Sequence, residues 1–129
     1  MAKCELLAFL LCENATKARD GKVTLHDLFD RIISPRTPRE AKLFFAFYKV
    51  FVKESCTIAL RVVDPSGQEI SGRWRDSLSE VGPIQTIWAL TSSLFKESGP
   101  YVLELWQEAG DSEPLLLAST ILFVDQQGD

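Results

Sequence analysis

A chain of 129 residues with 46% hydrophobic and 25% charged positions is long enough for one domain that buries about two thirds of the surface its unfolded form exposes, and too apolar to remain disordered. Its formal charge of −4 argues against a nucleic-acid binder that works through a basic surface. Residues 1–63 hold 11 Lys or Arg against 7 Asp or Glu, and residues 64–129 hold 3 against 11, an asymmetry able to steer a partner or a second copy.

Three cysteines, an odd number, point to reduced thiols and a cytoplasmic setting. Cys4 and Cys12 fall roughly 27 Å apart on one continuous strand, so no disulfide joins them there. The apolar run at residues 6–11 is shorter than a signal-peptide core, follows Glu5, and lacks a small-residue cleavage site after it. No stretch approaches the roughly 20 apolar residues of a membrane helix, and a soluble protein is expected.

In chain order, residues 4–12 are apolar on both sides, with Leu6, Ala8 and Leu10 facing one way and Leu7, Phe9 and Leu11 the other. That is a buried first strand. Asp20-Gly21 is a hairpin signal leading into Val23. Residues 23–33 fit two templates. Leu25, Leu28, Phe29, Ile32 and Ile33 have helical spacing behind a weak Thr24/Asp27 capping box, whereas Val23, Leu25, Asp27 and Phe29 alternate as a strand with a bulge. Their place among strands favours the second. Pro35 and Pro38 make residues 34–39 a crossover loop.

Residues 43–67 dominate the chain. Phe44, Ala46, Tyr48, Val50 and Val52 form one unbroken period-two stripe, and Cys56, Ile58, Leu60 and Val62 form another, the mark of strands with one face in a core. The opposite face of the first strand carries Phe45, Phe47 and Phe51 between Lys49 and Lys53. Asp64-Pro65-Ser66-Gly67 has type I turn chemistry. Residues 68–76 are polar around Trp74 and suit an edge strand guarded by charge. Residues 84–94, 101–106 and 115–124 complete the set, and Gly99-Pro100-Tyr101 has the form of a tyrosine corner. The pattern predicts one domain over residues 1–129, an all-β antiparallel sandwich of seven or eight strands, immunoglobulin-like or C2-like.

Reactive constellations are few. Cys12 and His26 are able to face each other across the first hairpin, but a buried thiol and a surface imidazole explain them more simply. One His and three scattered Cys have no zinc spacing. Glu104, Glu108, Asp111 and Glu113 read as a solvated hairpin tip, with calcium as the alternative. Arg36 and Arg39 flank the proline loop, and Arg73 and Arg75 bracket Trp74, so these four could hold an anion or stack on a base. A solvated loop and a guarded edge account for them as well.

The order LLCENATKARDGKVTLHDLFDRIISPRTP, then an apolar hairpin ending in DPSG, then GPYVLEL, resembles a family of small uncharacterised bacterial proteins, a domain of unknown function. The resemblance covers nearly the whole chain and rests on Gly21-Lys22, on Phe29-Asp30-Arg31-Ile32 and on the Gly99-x-Tyr101 strand start. It implies a single β-sandwich, supports the strand reading of residues 23–33, and places Gly in many members where this chain has Asp27. It supplies no catalytic residue, metal or cofactor. The expected function is a non-enzymatic module that associates with itself or another protein, through exposed Phe45, Phe47, Phe51, Trp74 and Trp106. The alternative is a small anionic or sugar-like ligand held by Arg36, Arg39, Arg73 and Arg75.

Overall fold

The computed structural model describes residues 2–34, 41–108 and 113–126. Among them are nine strands, β1 (Cys4–Lys17), β2 (Val23–Leu28), β3 (Arg31–Ser34), β4 (Leu43–Val52), β5 (Cys56–Val63), β6 (Glu69–Leu78), β7 (Gly82–Thr91), β8 (Gly99–Glu108) and β9 (Leu115–Gln126), and one 3-10 turn at Ser92–Leu94. They form a four-stranded sheet ordered β2-β1-β4-β7 and a five-stranded sheet ordered β3-β9-β8-β5-β6. The two pack face to face as an immunoglobulin-like sandwich.

Period-two patterning decides what lies between the sheets. From β4, Phe44, Ala46, Tyr48, Val50 and Val52 are buried, and from β5 Ile58, Leu60 and Val62. Tyr101, Leu103 and Leu105 of β8 and Leu122 and Val124 of β9 meet them from the same core. Each such aliphatic or aromatic side chain contributes about 1.5–3 kcal/mol on burial. Phe44 stacks on Phe95 with ring centres 6.0 Å apart, and Phe95 meets Tyr101 edge-on at 4.8 Å.

The described residues hold nine strands where the pattern suggested seven or eight, because residues 23–33 are two strands in different sheets. β2 pairs with β1, and β3 pairs with β9. Asp27, inside β2, has φ 58, and the chain leaves the four-stranded sheet just past it, after Leu28, which still pairs with Cys12. A left-handed residue bends a strand and does not fit a continuous right-handed helix. Beyond it Phe29 turns inward and meets Phe44 edge-on at 5.6 Å. β3 runs parallel to β9, so the larger sheet is mixed rather than wholly antiparallel. β1 also extends past its expected end at Cys12 to Lys17, because polar residues 14–17 find ladder partners in β2.

Turn chemistry behaves as the sequence implies. Gly67 N donates to Asp64 O at 3.0 Å, and the Asp64 carboxylate accepts from Ser66 N, Ser66 Oγ and Gln68 N. The tyrosine corner is present: Tyr101 Oη donates to Glu97 O at 3.0 Å and accepts from Glu97 N. At Gly99, φ is 134 and a Cβ would fall 2.9 Å from Pro65 Cγ, so two loops at one end of the sandwich close on each other only through glycine.

Polar links also cross between the sheets. Tyr48 Oη donates to Asp76 Oδ2 at 2.7 Å. Gln107 Oε1 accepts from Lys3 N at 2.7 Å and from Cys4 N at 3.2 Å.

Candidate functional site

The four-stranded sheet carries large apolar side chains on both faces. The β1, β4 and β7 ladders set Phe45 between Cys12 and Ala89, Phe47 between Leu10 and Ile87, Lys49 between Ala8 and Gln85, and Phe51 between Glu5 and Pro83. All lie opposite the core-facing row of β4. Such an outward row is unusual, since a sheet with one solvated face normally alternates apolar and polar residues.

Part of this face is covered by the chain itself. Gln85 Nε2 donates to Gly21 O at 2.7 Å. Gly21 belongs to the β1–β2 turn, which begins past Lys17, five residues or roughly 17 Å beyond Cys12 along β1. Gln85 lies roughly 13 Å along β7 from Ala89, which is at the level of Cys12, and back towards the start of β1. The bond therefore requires the outer half of the β1–β2 hairpin to fold back over the outer face. Burial agrees: Ala15, Val23 and Leu25 are partly buried, whereas Thr16, Thr24 and His26 are exposed. Under this arm Phe47 is only 6% exposed and Cys12 is fully buried. Phe45 is partly buried. Past the tip, Phe51 is 39% exposed, and Leu10 on the flank is 40% exposed.

The five aromatics named from the sequence thus do not form one surface. Phe45, Phe47 and Phe51 share the outer face of the four-stranded sheet, and of these Phe51 is the exposed one. Trp74 pairs with Leu60, a core residue, and packs against the core. Trp106 sits on the outer face of the five-stranded sheet, where its Nε1 donates to Glu104 Oε1 at 3.1 Å.

The arginines are separated as well. Arg36 and Arg39 lie outside the described residues. Arg73 and Arg75 are on β6, at the opposite edge of the five-stranded sheet from β3, the strand that leads into the proline loop. Both are held by carboxylates: Arg73 by Glu69 at 2.7 Å and Glu108 at 3.2 Å, and Arg75 by Glu108 at 2.7 Å. Arg61 joins the network through Glu69 and Glu104, each at 3.3 Å. Ala59 and Thr57 on the intervening strand β5 pair with Arg75 and Ser77, and their small side chains let the guanidinium groups span to β8. The Arg73 guanidinium pulls the Glu69 carboxyl below its ordinary value, and the Arg75 guanidinium does the same for Glu108. Arg31, on β3, bonds Asp125 at 2.8 Å and lies over the Phe123 ring.

Cys12 pairs with Leu28, and His26 pairs with Asn14. The His26 ring meets Thr16 Oγ1 at 3.4 Å, and burial raises the Cys12 thiol. Cys4 is pushed up to about 12, chiefly by burial and then by the neighbouring Cys56, and its thiol donates to Gln107 Oε1 at 3.6 Å. Glu104 and Glu108 are network members, Glu113 is exposed, and Asp111 lies outside the described residues.

A further feature was not singled out from the sequence. β7 is a sheet edge ten residues long, GPIQTIWALT, without a charged side chain and paired to β4 over its whole length without a register shift. The signal was present as a gap in the charge pattern, but which strand lies at an edge is a property of the topology.

No curated protein is similar enough in sequence to count as a relative. Among solved structures, the C-terminal domain of wzt superposes with a TM-score of 0.62 over 100% of this chain and 77% of that one, at 11% identity. An immunoglobulin-like protein from Pseudomonas aeruginosa matches over 95% of this chain and 97% of its own at 16% identity, with a TM-score of 0.45. Identity this low speaks to the fold alone. The model of a family of unknown function (DUF6941) matches residues 7–110, and the chain belongs to that family.

Proposed function

We propose that this domain is a non-enzymatic self-association module whose contact surface is the exposed part of the four-stranded sheet. The observation that carries this reading is the second apolar face of that sheet. The hairpin arm covers its centre and leaves Phe51 and Leu10 open, with Pro83 beside Phe51 and Val81 exposed in the turn before β7. Large uncovered apolar groups on a small domain mark interfaces. The ligand alternative has less support, because Arg73 and Arg75 are neutralised by Glu69 and Glu108 within the chain.

Sedimentation velocity across a concentration series tests the reading. The expected result is a dimer that dissociates on dilution and is weakened by Phe51→Glu without loss of folding. A monomer at every concentration would reject it. Phe47→Glu is a poor probe, since Phe47 is buried and a carboxylate there would act on stability first.

A further inference from the structure

The sheet edges differ in how they are protected. β2 is six residues long and ends beside left-handed Asp27, and β3 is four residues long. β6 carries Glu69, Arg73, Arg75 and Asp76 and has a register shift against β5. The first half of β1, which has no strand beyond it before Cys12, contains Glu5 and a bulge between Leu6 and Ala8. Short length, charge and bulges are the devices that keep edges from pairing with other chains. β7 has none of them in its ten residues apart from Pro83 near its start.

Its free backbone groups follow from the ladder. Ser92 N donates to Lys42 O, so in β7 the even-numbered residues direct N–H and C=O towards β4 and the odd-numbered ones direct theirs away. Pro83, which lacks an N–H, falls in the outward set, as expected for proline at an edge. Gln85, Ile87, Ala89 and Thr91 therefore present N–H groups to the outside, and among the described residues nothing takes them up.

We infer that β7 pairs antiparallel with β7 of a second copy across a two-fold axis at Ile87, joining two four-stranded sheets into one of eight strands. The inference rests on the self-association reading and specifies its geometry. A second copy is the fitting occupant because a two-fold antiparallel pair sets the segment against itself. Like charges opposite one another destabilise such a pair, and β7 has no charge to oppose. In this register Gln85 faces Ala89 of the second copy, and residues 83–91 overlap, all of β7 except Gly82. The exposed Phe51, paired with Pro83 at one end of β7, then flanks the seam, which makes the edge and the apolar face one continuous surface.

Amide hydrogen exchange, read residue by residue at concentrations below and above the association midpoint, is the test. The expected result is that the Gln85, Ile87, Ala89 and Thr91 amides exchange freely in the monomer and become protected in the dimer, while the even-numbered amides of β7 are protected in both. Ala89→Lys, at an exposed position, is expected to leave a folded monomer. A dimer whose odd-numbered amides still exchange freely would overturn edge pairing and leave self-association standing. A chain that is monomeric throughout would overturn both. The exchange measurement uses the unaltered protein, so it decides the matter even if the lysine variant folds poorly.

Discussion

Asp27 is a strained position within β2, one residue before the last pairing of that strand with β1. It is the non-glycine residue with positive φ among those described, and L side chains meet a steric penalty in that region that aspartate tolerates better than most. Asp27→Gly is expected to leave stability unchanged or raise it slightly, because glycine adopts φ 58 without strain. Asp27→Val is expected to cost about 1–2 kcal/mol. Urea denaturation of both variants measures the difference, and a destabilised glycine variant alongside a neutral valine variant would contradict this account.

At the scale of elements, β6 shows how a strand that looks like a binding edge becomes a closed one. Arg73-Trp74-Arg75 has the alternation of an anion or base platform, but β5 sets small residues beneath the guanidinium groups, and Glu69 and Glu108 close on them. Both carboxyls are held below their ordinary value of 4.5 by the arginines. A group depressed in the folded state contributes stability that is complete above its unfolded value and is lost as pH falls through the folded one. The network should therefore stabilise the domain fully above about pH 4.5 and weaken below it. Glu108→Gln removes a carboxylate shared by two arginines. It is expected to lower stability at pH 7 by about 1 kcal/mol and to shrink the further loss between pH 5 and pH 3. Denaturation midpoints at those pH values check both parts.

At the scale of the whole molecule, the sandwich is held by its shared core and by a few polar groups reaching between the sheets. Gln107, fully buried on β8, accepts from Lys3 N and Cys4 N at the start of β1. Those donors lie where the four-stranded sheet begins, so Gln107 also fixes how the two sheets align. Gln107→Leu keeps much of the volume but leaves a buried N–H without its acceptor, and is expected to cost about 1–3 kcal/mol. Tyr48→Phe, which removes the bond to Asp76, is expected to cost about 1 kcal/mol. The loss should be smaller because Asp76 is partly exposed and water is able to replace the phenol. Guanidinium unfolding distinguishes the two, and a Gln107→Leu variant as stable as the parent would show that the link carries no stability.

Much of the fold was legible in the sequence because it depends on local rules. Alternation along residues 44–52 and 56–62 determined which side of β4 and β5 faces the core, Asp64 to Gly67 determined a turn, and Gly99-Pro100-Tyr101 determined a corner. The outward apolar row of Phe45, Phe47 and Phe51 was legible too, as a row. Tertiary structure alone decided which of these is reachable, because the hairpin that covers Phe47 meets the sheet through residues 64 positions apart in the chain. It also decided that residues 23–33 divide between two sheets, that the arginines of β6 meet Glu108 two strands away, and that uncharged β7 lies at an edge. Periodicity reports a strand's own faces, whereas its neighbours are set by contacts between residues far apart in the chain, and one strand's pattern carries no record of them.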